Sequence, residues 1–151
     1  MKIMDFLCQE AIILDLKAQD KESAVNEMVD ALTKLKKIKN SKEAIEALMQ
    51  REKLGSTGIG QGVAIPHSRC DFIKEQIAML AISKKGVEFS ALDGNPVNII
   101  FLLLCPGDSK GEHLQAMAKI SKMLKDKYLR KAVLEANTTQ DVLSIIQKAD
   151  V

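Results

Sequence analysis

Val97-Asn98-Ile99-Ile100-Phe101-Leu102-Leu103-Leu104-Cys105, closed by Pro106-Gly107-Asp108, is the stretch on which the fold turns. Almost every position is apolar, so the alternation of a half-exposed strand is missing. A run of this kind suits a strand buried on both faces. Ile77 to Ile82 reads the same way, and the two together are expected to be central strands of one sheet. Neither crosses a bilayer: Ile99 to Cys105 has seven apolar residues, where a membrane helix needs about 20.

Beyond this run, Leu114, Met117, Ala118 and Leu124 mark a helix whose first turn contains His113. Tyr128 to Ala136 and Val142 to Lys148 continue as helices, the last capped by Thr138 or Thr139. Before it, Asp93-Gly94-Asn95-Pro96 is a turn by composition and Val87-Glu88-Phe89 a short strand. Towards the amino end, Ala24, Val25, Met28, Val29, Leu32 and Leu35 follow helical spacing behind Asp20 as N-cap. Asn40, followed by Glu43, offers the cap of a second helix, with Ile45, Leu48 and Met49 as its apolar face and Arg51 and Glu52 near its end. Ile12-Ile13-Leu14-Asp15-Leu16 is expected as a strand. Strands and helices alternate, which predicts an α/β layered fold: a mixed sheet of about five strands flanked by α-helices, one domain over residues 1–151.

Composition narrows the function. Lys and Arg number 22 against 20 Asp and Glu, and the basic residues are scattered, so nucleic acid is not expected as a partner. Aromatic residues are 3% with no Trp, leaving little on which single-stranded bases could stack. Cys8, Cys70 and Cys105 match no compact metal or redox spacing, and reduced thiols in a cytoplasm are the simplest account. Asp5, Gln9 and Glu10 interrupt any apolar core of a signal peptide.

The chemistry concentrates in Arg51-Glu52-Lys53-Leu54-Gly55-Ser56-Thr57-Gly58-Ile59-Gly60-Gln61-Gly62-Val63-Ala64-Ile65-Pro66-His67. Gly55 to Gly62 holds four glycines in eight residues, which permits positive φ and tight bends. Such backbone can aim N–H groups at one point, so Gly58 and Gly60 are expected to cradle phosphate, with Ser56 and Thr57 donating hydroxyl hydrogen bonds. A P-loop is excluded because no Lys lies between Gly55 and His67, and G-x-G-x-x-G fails at Val63.

Pro66 fixes its own φ and lacks an N–H, so the His67 ring should emerge on a stiff base. Neutral imidazole has a lone pair able to attack phosphorus while its other nitrogen is held by a hydrogen bond. The plainer reading is a satisfied histidine in a glycine turn; the surrounding anion-binding residue types favour the nucleophile. His113 enters a helix behind Gly107 to Gly111, where free N–H groups attract anions; surface capping accounts for it equally well. Arg51 offers a planar charged fork for phosphoryl oxygens, or is an exposed helix charge.

The segment from Arg51 to His67 resembles the active-site segment of the fructose/mannitol-type enzyme IIA of the bacterial sugar phosphotransferase system, above all its nitrogen-regulatory branch. The resemblance continues in Phe89-Ser90-Ala91-Leu92-Asp93-Gly94-Asn95-Pro96-Val97-Asn98, in Leu104-Cys105-Pro106 and in His113-Leu114-Gln115. It covers nearly the whole chain. It implies a phosphoryl carrier, a phosphotransferase component with a phosphohistidine intermediate. His67 would accept phosphate from phospho-HPr or a nitrogen-branch HPr-like phosphocarrier, with His113 assisting and Arg51 at the site. The phosphate would pass to an enzyme IIB component, or the phosphorylation state would regulate target proteins. IIB and membrane IIC portions are not in this sequence and are expected as separate polypeptides; neither metal nor cofactor is implied. Ser68-Arg69-Cys70 departs from the pattern, since relatives often have glycine after the histidine.

Two other classes compete. A non-catalytic regulatory module would sense phosphate or dock to a transporter or kinase. A metal-dependent hydrolase would use His67, Cys70, Asp71 and His113 as ligands, although H-x-x-C-D is a weak spacing.

Overall fold

The computed structural model describes residues 1–150. Its centre is β5, Val97–Pro106. On one side β5 pairs antiparallel with β4, Ile77–Val87, through Ile77↔Leu104 to Ile82↔Ile99. On the other it pairs in parallel with β2, Val63–Ala64, and with β3, His67–Cys70. The sheet of five strands is therefore mixed, and β1, Gly58–Gly60, completes it by pairing antiparallel with β2.

The apolar run in β5 is explained by two cores, because successive side chains of a strand point to opposite faces. Ile100, Leu102 and Leu104 enter one core with Val25, Met28, Leu32 and Leu48, from α1 (Lys21–Lys34) and α2 (Ser41–Lys53). Ile99, Phe101, Leu103 and Cys105 enter the other, against Ile120, Val133, Val142 and Ile146. These come from α3 (Lys110–Leu124), α4 (Lys127–Glu135) and α5 (Thr139–Ala149). Wholly burying each large apolar side chain stabilises the fold by about 1.5–3 kcal/mol. Asp20, Asn40, Asp126 and Thr138 cap their helices through side-chain oxygens. No helix among the described residues is long and apolar enough to cross a membrane.

Several expectations need correction. Ile12 to Leu16 does not form a continuous strand. A bend at Leu14 and Asp15 interrupts the segment, which meets β4 through the single bridge Ile13↔Ala81, while Leu7↔Ala78 is a second bridge on the far side of the 3-10 turn at Gln9–Ala11. Val87 ends β4 instead of starting a new strand, and Glu88 makes only a bridge to Asp20. Within α3 the buried stripe is Ala116, Ile120, Met123 and Leu124, spaced by four, three and one; Leu114 is 68% exposed. The glycine segment is a hairpin: Gln61 and Gly62 join β1 to β2 with φ of 60° and 74°, the positive values a tight type I′ turn requires.

Candidate active site

The site forms where parallel pairing along β5 changes from β2 to β3. Pro66 has no N–H to donate, but its carbonyl accepts from Leu103 N at 2.9 Å, so the ladder resumes with His67 in register with Leu103. His67 thus starts a strand at the edge of the core. Its Nδ1 lies 2.7 Å from the Ile65 carbonyl. A carbonyl can only accept, so Nδ1 carries the proton and Nε2 keeps its lone pair. Burial, with a smaller effect from the Arg51 charge, holds the ring below the ordinary histidine value near 6.5, against the hydrogen bond to Ile65 and the charge of Glu52. The lowered proton affinity favours the neutral ring.

His113 comes from the first turn of α3, and its ring centroid is 5.4 Å from that of His67 with the planes tilted by 47°. Burial, then the neighbouring His67 and Arg69 charges, lowers its proton affinity as well. The two rings line a cleft of about 700 Å³ together with Arg51, Arg69 and Lys110. Asp71 is the single carboxylate in that lining, so permanent positive charge prevails. Asp71 also approaches Gly107 so closely that a Cβ there would meet its Oδ1 at 2.1 Å.

Arg51 is oriented by its own helix end: Nη1 donates to the Gly55 carbonyl at 2.8 Å, leaving the rest of the fork for the cleft. The adjacent Glu52 points inward, 7% exposed, and ties three elements together. Its carboxylate accepts from Thr57 N at 3.0 Å and from the Thr57 hydroxyl, and pairs with Lys21 Nζ at 3.0 Å. Lys21 in turn lies 5.1 Å from the Phe89 ring centroid.

The expected loop cradle is not brought to the histidines. The Ser56 hydroxyl donates to the Phe89 carbonyl at 2.9 Å and accepts from Gly58 N at 3.0 Å. The Thr57 hydroxyl is spent on Glu52. Gly58 packs against Ala91, where a Cβ would sit 2.9 Å from the Ala91 Cα, and Gly60, at φ 96°, enters the hairpin turn. None of the four lines the cleft. Arg69 and Lys110 do, although neither was singled out from the sequence. Arg69 was accessible to simple strand logic, two residues beyond His67 on the same face. Among the described residues no group of three or more His, Cys, Asp or Glu side chains could hold a metal ion, so the hydrolase ligand set does not assemble.

Residues 5–149 match the family described as phosphoenolpyruvate-dependent sugar phosphotransferase system, EIIA 2. The chain belongs to that family. Over 146 residues this EIIA chain is 34% identical to the nitrogen regulatory protein of Bradyrhizobium diazoefficiens, covering 97% of this chain and 95% of that protein. It is 33% identical to the fructose-specific EIIABC component of Bacillus subtilis over 99% of this chain and 24% of the relative, of which it spans about a quarter. Among solved structures, nitrogen regulatory protein IIA-Ntr from Neisseria meningitidis superposes with a TM-score of 0.88 at 34% identity, covering 95% of this chain and 98% of that one. Mannitol enzyme IIA in its complex with phosphorylated enzyme IIB from Escherichia coli shares the fold, with a TM-score of 0.78 at 21% identity over 92% and 95% of the chains.

Proposed function

We propose that this EIIA chain is a phosphoryl carrier whose acceptor atom is His67 Nε2. The observation that carries the reading is the bond from Nδ1 to the Ile65 carbonyl. It leaves the Nε2 lone pair available in a cleft lined by Arg51, Arg69, Lys110 and His113. In the transfer, that lone pair forms a bond to phosphorus as the bond from phosphorus to the donor's ring nitrogen breaks. The electron pair of the broken bond stays with the donor. The proton stays on Nδ1, donated to the Ile65 carbonyl, so phosphorylated His67 is an imidazolium and a ready leaving group for the next acceptor. Arg51 faces the developing charge on the phosphoryl oxygens, and little else than positioning and electrostatics is required. His113, neutral at rest, takes up a proton beside the incoming dianion and donates it as a hydrogen bond.

The donor is the phosphohistidine of HPr or of a nitrogen-branch HPr-like phosphocarrier. The onward acceptor is an enzyme IIB component, as in the mannitol complex, or the phosphorylation state is read by regulatory targets. The regulatory destination draws support from the likeness to IIA-Ntr, stronger in both identity and superposition than that to mannitol enzyme IIA. Transfer of labelled phosphate from phosphoenolpyruvate through enzyme I and each carrier in turn, with His67→Ala as control, tests acceptor and donor together.

A further inference from the structure

Cys105 is the last apolar residue of β5, fully buried in the second core and in register with Arg69 of β3. Behind it the chain turns through Pro106 and Gly107 into α3, which returns His113 so that Nδ1 lies 3.0 Å from the Cys105 sulfur. Gln76, immediately before β4, approaches from the other side and sets Oε1 2.9 Å from the same sulfur. A thiol has one proton to give and lone pairs to receive. Burial pushes the Cys105 thiol up to about 12, so the proton stays on sulfur throughout the working range. An amide oxygen cannot donate. The thiol proton therefore goes to Gln76, and the sulfur is left to accept from His113 Nδ1–H.

We infer that Cys105, oriented by Gln76, is a positioning residue for His113. It fixes the ring's rotamer and its Nδ1–H form, and so leaves Nε2 as the unprotonated nitrogen for the cleft. Both rings of the pair then hold the same form by different means, His67 through a backbone carbonyl and His113 through a buried thiol. The consequence for transfer, which rests on the carrier reading above, is that His113 Nε2 receives its proton only when negative charge arrives, along a direction set in advance.

Nitrogen-15 spectroscopy of the whole chain, at a pH well above the ordinary histidine value, reads the ring forms directly. In the parent and in Cys105→Ser, which keeps a donor and an acceptor at that point, His113 Nδ1 should be protonated and Nε2 bare. In Cys105→Val the ring should revert towards the Nε2–H form that free histidine prefers. Gln76→Leu supplies an independent variant that leaves Cys105 in place. There the thiol proton turns to His113 Nδ1, and the form switches to Nε2–H. Phosphoryl transfer to His67 should slow by about 3- to 10-fold in Cys105→Val, the worth of one hydrogen bond, and recover in Cys105→Ser. An Nε2-protonated His113 in the parent, or an unchanged Nδ1–H form in Gln76→Leu, would overturn the inference. So would equal transfer rates in parent and Cys105→Val. If no variant accepts phosphate, the carrier reading fails, while the ring forms still decide the link between Cys105 and His113.

Discussion

His67 and His113 face one another across 5.4 Å between ring centroids, both with proton affinities lowered by burial. Two neutral rings in a cleft of three fixed cations make a site that awaits negative charge. One unit of charge at this separation is worth about 3 kcal/mol at an effective dielectric constant near 20. The phosphoryl group is therefore a large perturbation. On phosphorylation of His67, His113 should titrate at least about one pH unit higher than in the free protein. A proton NMR titration of the His113 ring in both states checks this, and an unmoved midpoint would remove His113 from the phosphoryl group.

The resting His67 should titrate below the ordinary value near 6.5, since burial outweighs the Ile65 hydrogen bond. The sign for stability follows. Below 6.5 the unfolded chain binds protons at both histidines before the folded chain does, so stability present above that pH is lost as the pH falls towards the folded values. Urea midpoints should decline from neutral pH into that acid window, less steeply in His67→Ala. A His67 midpoint above 6.5 by NMR would contradict the burial argument.

Arg51 should act through geometry as well as charge. Arg51→Ala should slow phosphoryl transfer by about 100-fold or more and Arg51→Lys by about 10-fold, because an ammonium cannot reproduce the planar fork. Quenched-flow transfer from the phosphorylated carrier gives both rates. If both variants transfer at the parental rate, the residue is a surface charge tied to Gly55.

Glu52 holds a buried network together. Glu52→Ala leaves the Lys21 ammonium and the Thr57 N–H without their partner in a largely buried place, and should cost about 3–5 kcal/mol in urea unfolding. The joint variant Lys21→Met with Glu52→Met should recover part of that loss. A Glu52→Ala protein of parental stability would show that the network contributes nothing.

What could be read from the amino acids divides along physical lines. The β5 run, the caps at Asp20 and Asn40 and the stiff base of His67 are local properties, visible in a few adjacent residues. Partners far apart in the chain were not visible. Nothing in Ser56-Thr57 announces that one hydroxyl serves the Phe89 carbonyl and the other Glu52, so a hydrogen-bonded hairpin reads as an open anion cradle. Leu114 looks like core by type, but α3 packs through Ala116 and Ile120 and turns it to the cleft rim. The failure at Ile12 to Leu16 has a similar origin. Branched residues favour extended chain, and only the fold decides that a bend at Leu14 and Asp15 reduces the pairing of this segment with β4 to a single bridge. Cys105 and Gln76 matter through three-dimensional meeting alone, being 29 residues apart.

The central claim is that His67 carries the phosphoryl group. Incubation of the whole chain with phosphoenolpyruvate, enzyme I and HPr or its nitrogen-branch counterpart, followed by mass spectrometry under alkaline conditions, locates the modification. An acid-labile phosphate on the peptide containing His67, absent from His67→Ala and attached through Nε2 by phosphorus–nitrogen NMR coupling, is the predicted result. Phosphate that persists in His67→Ala, or that sits on Nδ1, would contradict it.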